Sequence, residues 1–239
     1  MIRTMLITAL LMFFFGCADR KNQDNTRQGD QVEEAVRVDY LALGDSYTVG
    51  EGVDEKERWP IQLARAVSSD TLIIDSVRIV AQTGWTTADL LEGIEKADLN
   101  ATYDVVSLLI GVNNQYQGQE LGIYKREFDS LVRLALDYAG DRERGVFVLS
   151  IPDYGVTPFA ASRDTSRISR EIQRYNAVAD SICRRYAIPF FNITTISCKA
   201  GSDSTLLAPD KLHPSGKQYR LWVEAIEDSV RSILMSPAG

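Results

Sequence analysis

Ser46, Asp210 and His213 are the residues whose types and setting could carry nucleophilic chemistry in this chain. There is a single histidine, so any imidazole acid–base step belongs to His213. It stands in Asp210-Lys211-Leu212-His213-Pro214, where a carboxylate three residues upstream can orient the ring on a turn. A serine hydroxyl is a poor nucleophile at neutral pH and needs a base within hydrogen-bond reach. An imidazole of ordinary pKa near ~6.5 can take that proton and return it to a leaving group. Ser46 lies in Gly44-Asp45-Ser46-Tyr47-Thr48-Val49-Gly50. Gly, Asp and Ser are common turn residues and say little alone. Their place at the end of an apolar run, beside free backbone N–H groups, says more. Gln82-Thr83-Gly84-Trp85 puts a glycine where backbone can approach a ligand closely. Gly111-Val112-Asn113-Asn114 puts an amide donor in a similar loop. Such donors suit an anionic tetrahedral intermediate, for which losing one costs ~10²–10³ in turnover. Trp59, Trp85 and Tyr116 could line a substrate pocket or belong to core and rim. Asp153, in Ile151-Pro152-Asp153-Tyr154-Gly155, reads as a turn residue, and Asp45 as a brace for its own loop.

These loops are positioned by alternating strands and helices. Strand patterns occur from Val38 to Gly44 and over Thr71–Ala81, Asp104–Ile110, Gly145–Ile151 and Pro189–Ile193. Asp104–Ile110 is the most continuously apolar of them, as expected for a strand buried on both faces. Helical spacing is expected over Trp59–Ser68 (Pro60 in its first turn), Thr86–Ala97 behind a threonine cap, Glu120–Tyr138, Thr165–Tyr186 and Ser215–Leu234. Ser215 and Gln218 have the spacing of a capping box. Alternation of this kind implies a mainly parallel sheet covered on both faces, with ligands beyond the carboxyl ends of its strands. No repeat or long linker divides residues 36–239, which read as one domain.

Taken in order, GDS after the first strand, a glycine after the second, G-x-N after the third and D-x-x-H before the last helix resemble the SGNH hydrolases, the GDSL esterase/lipase family. The resemblance implies a flavodoxin-like, three-layer α/β/α fold with strand order 2-1-3-4-5. It implies Ser46 as nucleophile, His213 as general base and Asp210 as its orienting partner. The oxyanion hole would comprise the Ser46 and Gly84 backbone N–H groups and the Asn113 side chain. No cofactor or metal is implied. Many members have Asp after the asparagine of the third block, whereas this chain has Asn114, a change that bears on local hydrogen bonding. The order Ser…Asp…His is shared with α/β-hydrolases, but their G-x-S-x-G elbow is absent around Ser46.

The 239 residues are 45% hydrophobic and 25% charged with net charge −7, ordinary globular proportions that exclude collagen-like or wholly disordered chains. An acidic chain lacks the basic footprint for nucleic acid. Three cysteines and one histidine are too few for a Cys/His zinc site, and no clustered carboxylates suggest a metal-dependent phosphoesterase. Residues 1–16 read as a signal peptide, too short in its apolar run to span a membrane. The Phe-Phe-Gly-Cys ending resembles a bacterial lipoprotein signal, with Cys17 lipidated and polar residues 17–35 as a tether. Ordinary secretion with an incidental cysteine is the alternative. The expected location is that of an exported bacterial lipoprotein, membrane-anchored in the periplasm or at the cell surface. Cys183 and Cys198 form a disulfide or remain two free thiols.

The leading expectation is a serine esterase acting through an acyl-enzyme on a small-molecule or glycan ester. Gln115, Gln117 and Gln119 beside Tyr116, with Trp85 after Gly84, suit a polar, sugar-like alcohol, and no apolar insertion provides a lid for a long acyl chain. Short acyl groups, acetyl above all, are therefore expected. The alternatives are a lysophospholipase or thioesterase of the same family, or a non-catalytic binding lipoprotein. The oligomeric state stays open.

Overall fold

A computed structural model of the chain describes residues 34–99, 101–140 and 145–235. The proposed signal peptide, Cys17 and most of the tether lie outside the described residues. In chain order the elements are β1 (Val36–Gly44), α1 (Ser46–Val49), α2 (Trp59–Val67), β2 (Leu72–Ala81), α3 (Thr87–Lys96), β3 (Val105–Leu109) and α4 (Val112–Tyr116). Then follow α5 (Leu121–Ala139), β4 (Val146–Leu149), α6 (Thr165–Arg185), β5 (Phe190–Phe191), α7 (Thr194–Ser197) and α8 (Gly216–Met235), with short 3₁₀ turns between several of them.

The five strands form one parallel sheet in the order β2-β1-β3-β4-β5, the order expected from the sequence. Its centre is the most apolar part of the chain: every residue of β3 and β4 is buried. Fully burying a Val, Leu or Phe side chain stabilises by about 1.5–3 kcal/mol, so these strands anchor the fold. The one hydroxyl in β3, Ser107, is satisfied by the Tyr40 hydroxyl of β1 at 2.7 Å. The helices form two groups, α2 with α8 and α3 with α5 and α6, giving the layered α/β/α architecture.

Local signals explain most helix ends. Thr86 caps α3 and makes a complete capping box with Asp89. The expected box at α8 is only half formed. Ser215 Oγ accepts from the Gln218 N–H at 3.3 Å, but the Gln218 amide donates to the Leu206 carbonyl instead of turning back. A distant, buried carbonyl needs that donor more than the exposed helix start does.

Of the two alternatives left open for Cys183 and Cys198, the structure has the free thiols and no disulfide between them. Cys183 belongs to the inward stripe of α6 with Ile168, Ile172 and Ile182, while Cys198 is exposed on a 3₁₀ turn. Burial pushes the Cys183 thiol up to about 12, so it behaves as a small core hydrophobe.

Candidate active site

The turn from β1 into α1 brings Ser46 to the carboxyl edge of the sheet. It is tight enough that a Cβ on Gly44 would lie 2.2 Å from Thr48 Oγ1 and 2.5 Å from the Leu109 carbonyl. Asp45 caps α1: its Oδ1 accepts the Tyr47 N–H at 3.0 Å, and its carbonyl accepts from Thr48 and Val49. The Ser46 N–H has no acceptor among the described residues, which leaves it for a ligand. Asp45 is fully buried, as its bracing role requires.

Gly84 supplies the second donor. Its φ of +87° is a left-handed value that favours glycine, and the space where a Cβ would stand is open. Asn113, at the start of α4, donates one amide N–H to the Trp85 carbonyl at 2.9 Å. That bond fixes the side chain and leaves its second N–H for the cavity that Asn113 lines.

Asp210 and His213 meet on a turn made by Asp210 itself. Oδ1 accepts from the Leu212 and His213 N–H groups at 2.9 and 3.0 Å, and Oδ2 from His213 Nδ1 at 2.6 Å. Lys211 between them sits at φ +62°, an uncommon conformation for a residue with a side chain. Partial burial pushes the Asp210 carboxyl up, but the imidazole and the two backbone N–H groups outweigh it and hold the group below its ordinary value. An ionised Asp210 fixes the proton on Nδ1, which leaves Nε2 as the basic nitrogen. Tyr47 packs edge-on to the ring, with centroids 5.8 Å apart.

Ser46, Gly84, Asn113 and His213 line one cavity of about 160 Å³, walled by Tyr47, Thr83, Val112, Tyr116, Tyr154, Phe159 and Leu212. A nucleophile, a base with its orienting carboxylate and three fixed donors around one space can perform acyl transfer.

Residues 42–221 match the sequence model of the GDSL-like lipase/acylhydrolase family. The chain belongs to that family. It is accordingly a hydrolase of carboxylic esters. Among solved structures it resembles the psychrotrophic esterase EstA from Pseudoalteromonas sp., at 18% identity over 83% of this chain and 99% of that one, TM-score 0.61. It also resembles an acetylxylan esterase from Geobacillus stearothermophilus, at 19% identity over 83% and 96%, TM-score 0.61. A carbohydrate acetylesterase family member from Sinorhizobium meliloti is 19% identical over 82% and 98%, TM-score 0.59. At these identities the likeness is one of fold. No curated protein sequence matches the chain.

Of the three aromatic candidates, only Tyr116 lines the cavity of this GDSL-family hydrolase; it is 44% exposed. Trp59 is corrected to a core residue. It opens α2, which packs on α8, and is fully buried. Trp85 is also corrected: its indole lies over α3, so that a Cβ on Gly93 would come within 2.2 Å of it. Its carbonyl, not its ring, serves the site. Tyr154 and Phe159 are pocket residues that periodicity could not reveal, because they stand on irregular 3₁₀ turns. The one signal that could have marked Tyr154 is its place after the fourth strand. Its neighbour Asp153 is a turn residue as expected, accepting from the Gly155 N–H at 2.8 Å.

Asn114 is fully buried below the GDSL-family site. Its oxygen accepts from the Thr87 N–H at 3.1 Å, and its nitrogen donates to Thr87 Oγ1 at 2.6 Å and Gln119 Oε1 at 2.9 Å. An aspartate carboxylate has no hydrogen to donate to either oxygen, and the Thr87 hydroxyl already gives its own hydrogen to Glu127. The departure from the common Asp is thus matched by local partners that need an amide.

Proposed function

We propose that this hydrolase removes short acyl groups, acetyl above all, from carbohydrate or similarly polar alcohols. Ser46 Oγ attacks the ester carbonyl as His213 Nε2 takes its proton, and Asp210 holds the imidazolium in place. The oxyanion is received by the Ser46 and Gly84 N–H groups and the Asn113 amide. Collapse breaks the bond to the alcohol, which leaves with the proton from His213. Water then attacks the acyl-enzyme by the same route in reverse order of roles.

The observation that carries the catalytic reading is the 2.6 Å Asp210–His213 contact at the rim of the cavity that Ser46, Gly84 and Asn113 share. Acyl size is supported by volume: about 160 Å³ is well below the ~300–1,000 Å³ of pockets for drug-sized ligands. The polar alcohol is supported by a larger groove of about 450 Å³ that shares Tyr116 and Tyr154 with the cavity and is lined by Gln115 and Gln119. Two of the fold's neighbours act on or are classed with acetylated carbohydrates.

Nitrophenyl esters of rising acyl length test the reading. kcat/KM is expected to fall from acetyl to octanoyl. An optimum at octanoyl would favour the lysophospholipase or thioesterase alternative, because each methylene a real groove buries adds about 0.8 kcal/mol. Absence of stoichiometric labelling at Ser46 by a phosphonate, the inhibitor class of the Pseudoalteromonas esterase, would favour a binding protein instead. We further propose that the mature chain is an exported lipoprotein held through Cys17, on the strength of the Gly16-Cys17 junction and the polar segment after it. Complete retention of Cys17→Ser in the membrane fraction would refute that anchor. Among the described residues no helix is long and apolar enough to cross a membrane.

A further inference from the structure

The groove beyond Tyr116 carries charge that the ester chemistry does not need. Its walls include Arg163, Arg167 and Arg174, and Arg170 and Arg174 extend it into an adjoining hollow of about 610 Å³. Arg163 stands at the junction with the Ser46 cavity. Its guanidinium lies 4.6 Å from the Tyr116 ring centroid and 5.4 Å from that of Phe159, and Nη2 donates to the Tyr116 hydroxyl at 2.7 Å. Arg167, Arg170 and Arg174 follow on α6 at spacings of three and four, hence along one face.

Counter-charge in the groove is partial. Glu171 takes Arg167 Nε at 2.7 Å as well as the Gln115 amide at 2.8 Å. Asp164 is occupied in capping α6 through the Arg167 N–H. Arg163, Arg170 and Arg174 have no ion-pair partner among the described residues. The far end of the same helix differs: Arg184 pairs with Asp180, and Arg185 with Asp129. Unpaired guanidinium groups on α6 are therefore confined to the groove, in a chain whose net charge is −7. A guanidinium is a planar fork matched to carboxylate and phosphate oxygens.

We propose that this groove is an anion subsite for the alcohol half of the ester, so that the preferred substrates are short-acyl esters of sugars bearing a carboxylate or a phosphate. The proposal rests on the esterase reading above. Arg163 meets an anionic group on the sugar ring next to the scissile ester, and Arg174 one further along.

Three mono-acetylated probes test it: methyl glucoside, methyl glucuronide and glucose phosphate. The glucuronide arm reports a carboxylate and the phosphate arm a phosphoryl group. At low salt kcat/KM for at least one anionic probe is expected to exceed the neutral one by about tenfold, on the scale of one charge-assisted contact. That excess should shrink as added salt shortens the Debye length below about 10 Å. It should vanish in Arg163→Gln/Arg174→Gln and persist in Arg37→Gln/Arg220→Gln, which removes equal charge elsewhere. Equal kcat/KM for all three probes, or an excess that survives Arg163→Gln/Arg174→Gln, overturns the subsite. Calorimetry of methyl glucuronide and glucose phosphate against Ser46→Ala keeps the two readings separable. If no acetyl ester is turned over, the esterase reading fails. The subsite fails if neither anion binds more tightly than methyl glucoside.

Discussion

Asp45→Asn should reverse from destabilising to stabilising as the pH is raised. Asp45 is fully buried; Oδ1 is satisfied by the Tyr47 N–H, whereas Oδ2 has no partner. Burial pushes its carboxyl from 3.8 up to about 7, against the opposing pull of the Tyr47 and Asp45 N–H groups. The folded value lies above the unfolded one, so the folded chain holds the proton more tightly. Its contribution is fully present below the unfolded value and is lost as pH rises through about 7. At about 1.4 kcal/mol per pH unit, the loss across that window is roughly 4 kcal/mol.

Asparagine keeps the Oδ1 acceptor that caps α1 and never ionises, but it places an N–H₂ where Oδ2 has no partner, a cost of ~1–3 kcal/mol. The variant therefore starts roughly 1–3 kcal/mol below the parent near pH 4. It gains roughly 4 kcal/mol on it across the window and finishes more stable near pH 8. Urea midpoints for both proteins at matched pH, with unchanged slopes, give the difference directly. A stability difference independent of pH between about 4 and 8 would refute the reasoning, because Asp45 would then titrate alike in both states.

Ser46→Ala and His213→Ala should each reduce kcat by about 10⁴-fold or more with the fold retained, and the double variant should lose little beyond either one. Additive losses would deny the two a shared step. Asp210→Asn should do less damage, since it keeps the turn but not the charge beside Nδ1. Asn114→Asp should lower stability by about 1–3 kcal/mol at neutral pH, because its carboxylate faces Thr87 Oγ1 and Gln119 Oε1 in place of a donor; an unchanged thermal midpoint would show that these partners rearrange freely. In the Cys17→Ser chain, Cys198 should react with a thiol reagent in the folded state, at a rate held down because partial burial and nearby Asp153 raise its thiol, and Cys183 only after unfolding. Reductant should leave the total unchanged, and a total that rises with reductant would restore the disulfide.

Much of the site was legible because each of its groups arrives at the end of its own strand or at the start of its own helix. A parallel sheet gathers those ends along one edge, so residues distant in sequence become neighbours without any local signal of contact. The same logic should have placed Trp59. With Leu63 and Val67 it forms a stripe repeating every four residues, and all three are buried; that helical period assigns the indole to the core and not to a pocket wall. Cys183 yields to the same argument, as a member of the inward stripe of α6. Trp85 and Gln218 are different. Their partners, the notch at Gly93 and the Leu206 carbonyl, are chosen by packing between elements, and no spacing within either segment encodes the choice. Hardest to read was the outer wall of the cavity. Tyr154, Phe159 and Arg163 belong to an irregular stretch of 3₁₀ turns after β4, where neither helical nor strand periodicity marks which side chains point inward. The candidate catalytic groups thus sit in short turns with recognisable residues beside strand and helix ends, whereas the outer wall of the cavity is set by a longer segment without a period. Substrate preference should accordingly respond to substitutions at Tyr154, Phe159 and Arg163 while the Asp210–His213 geometry stays fixed.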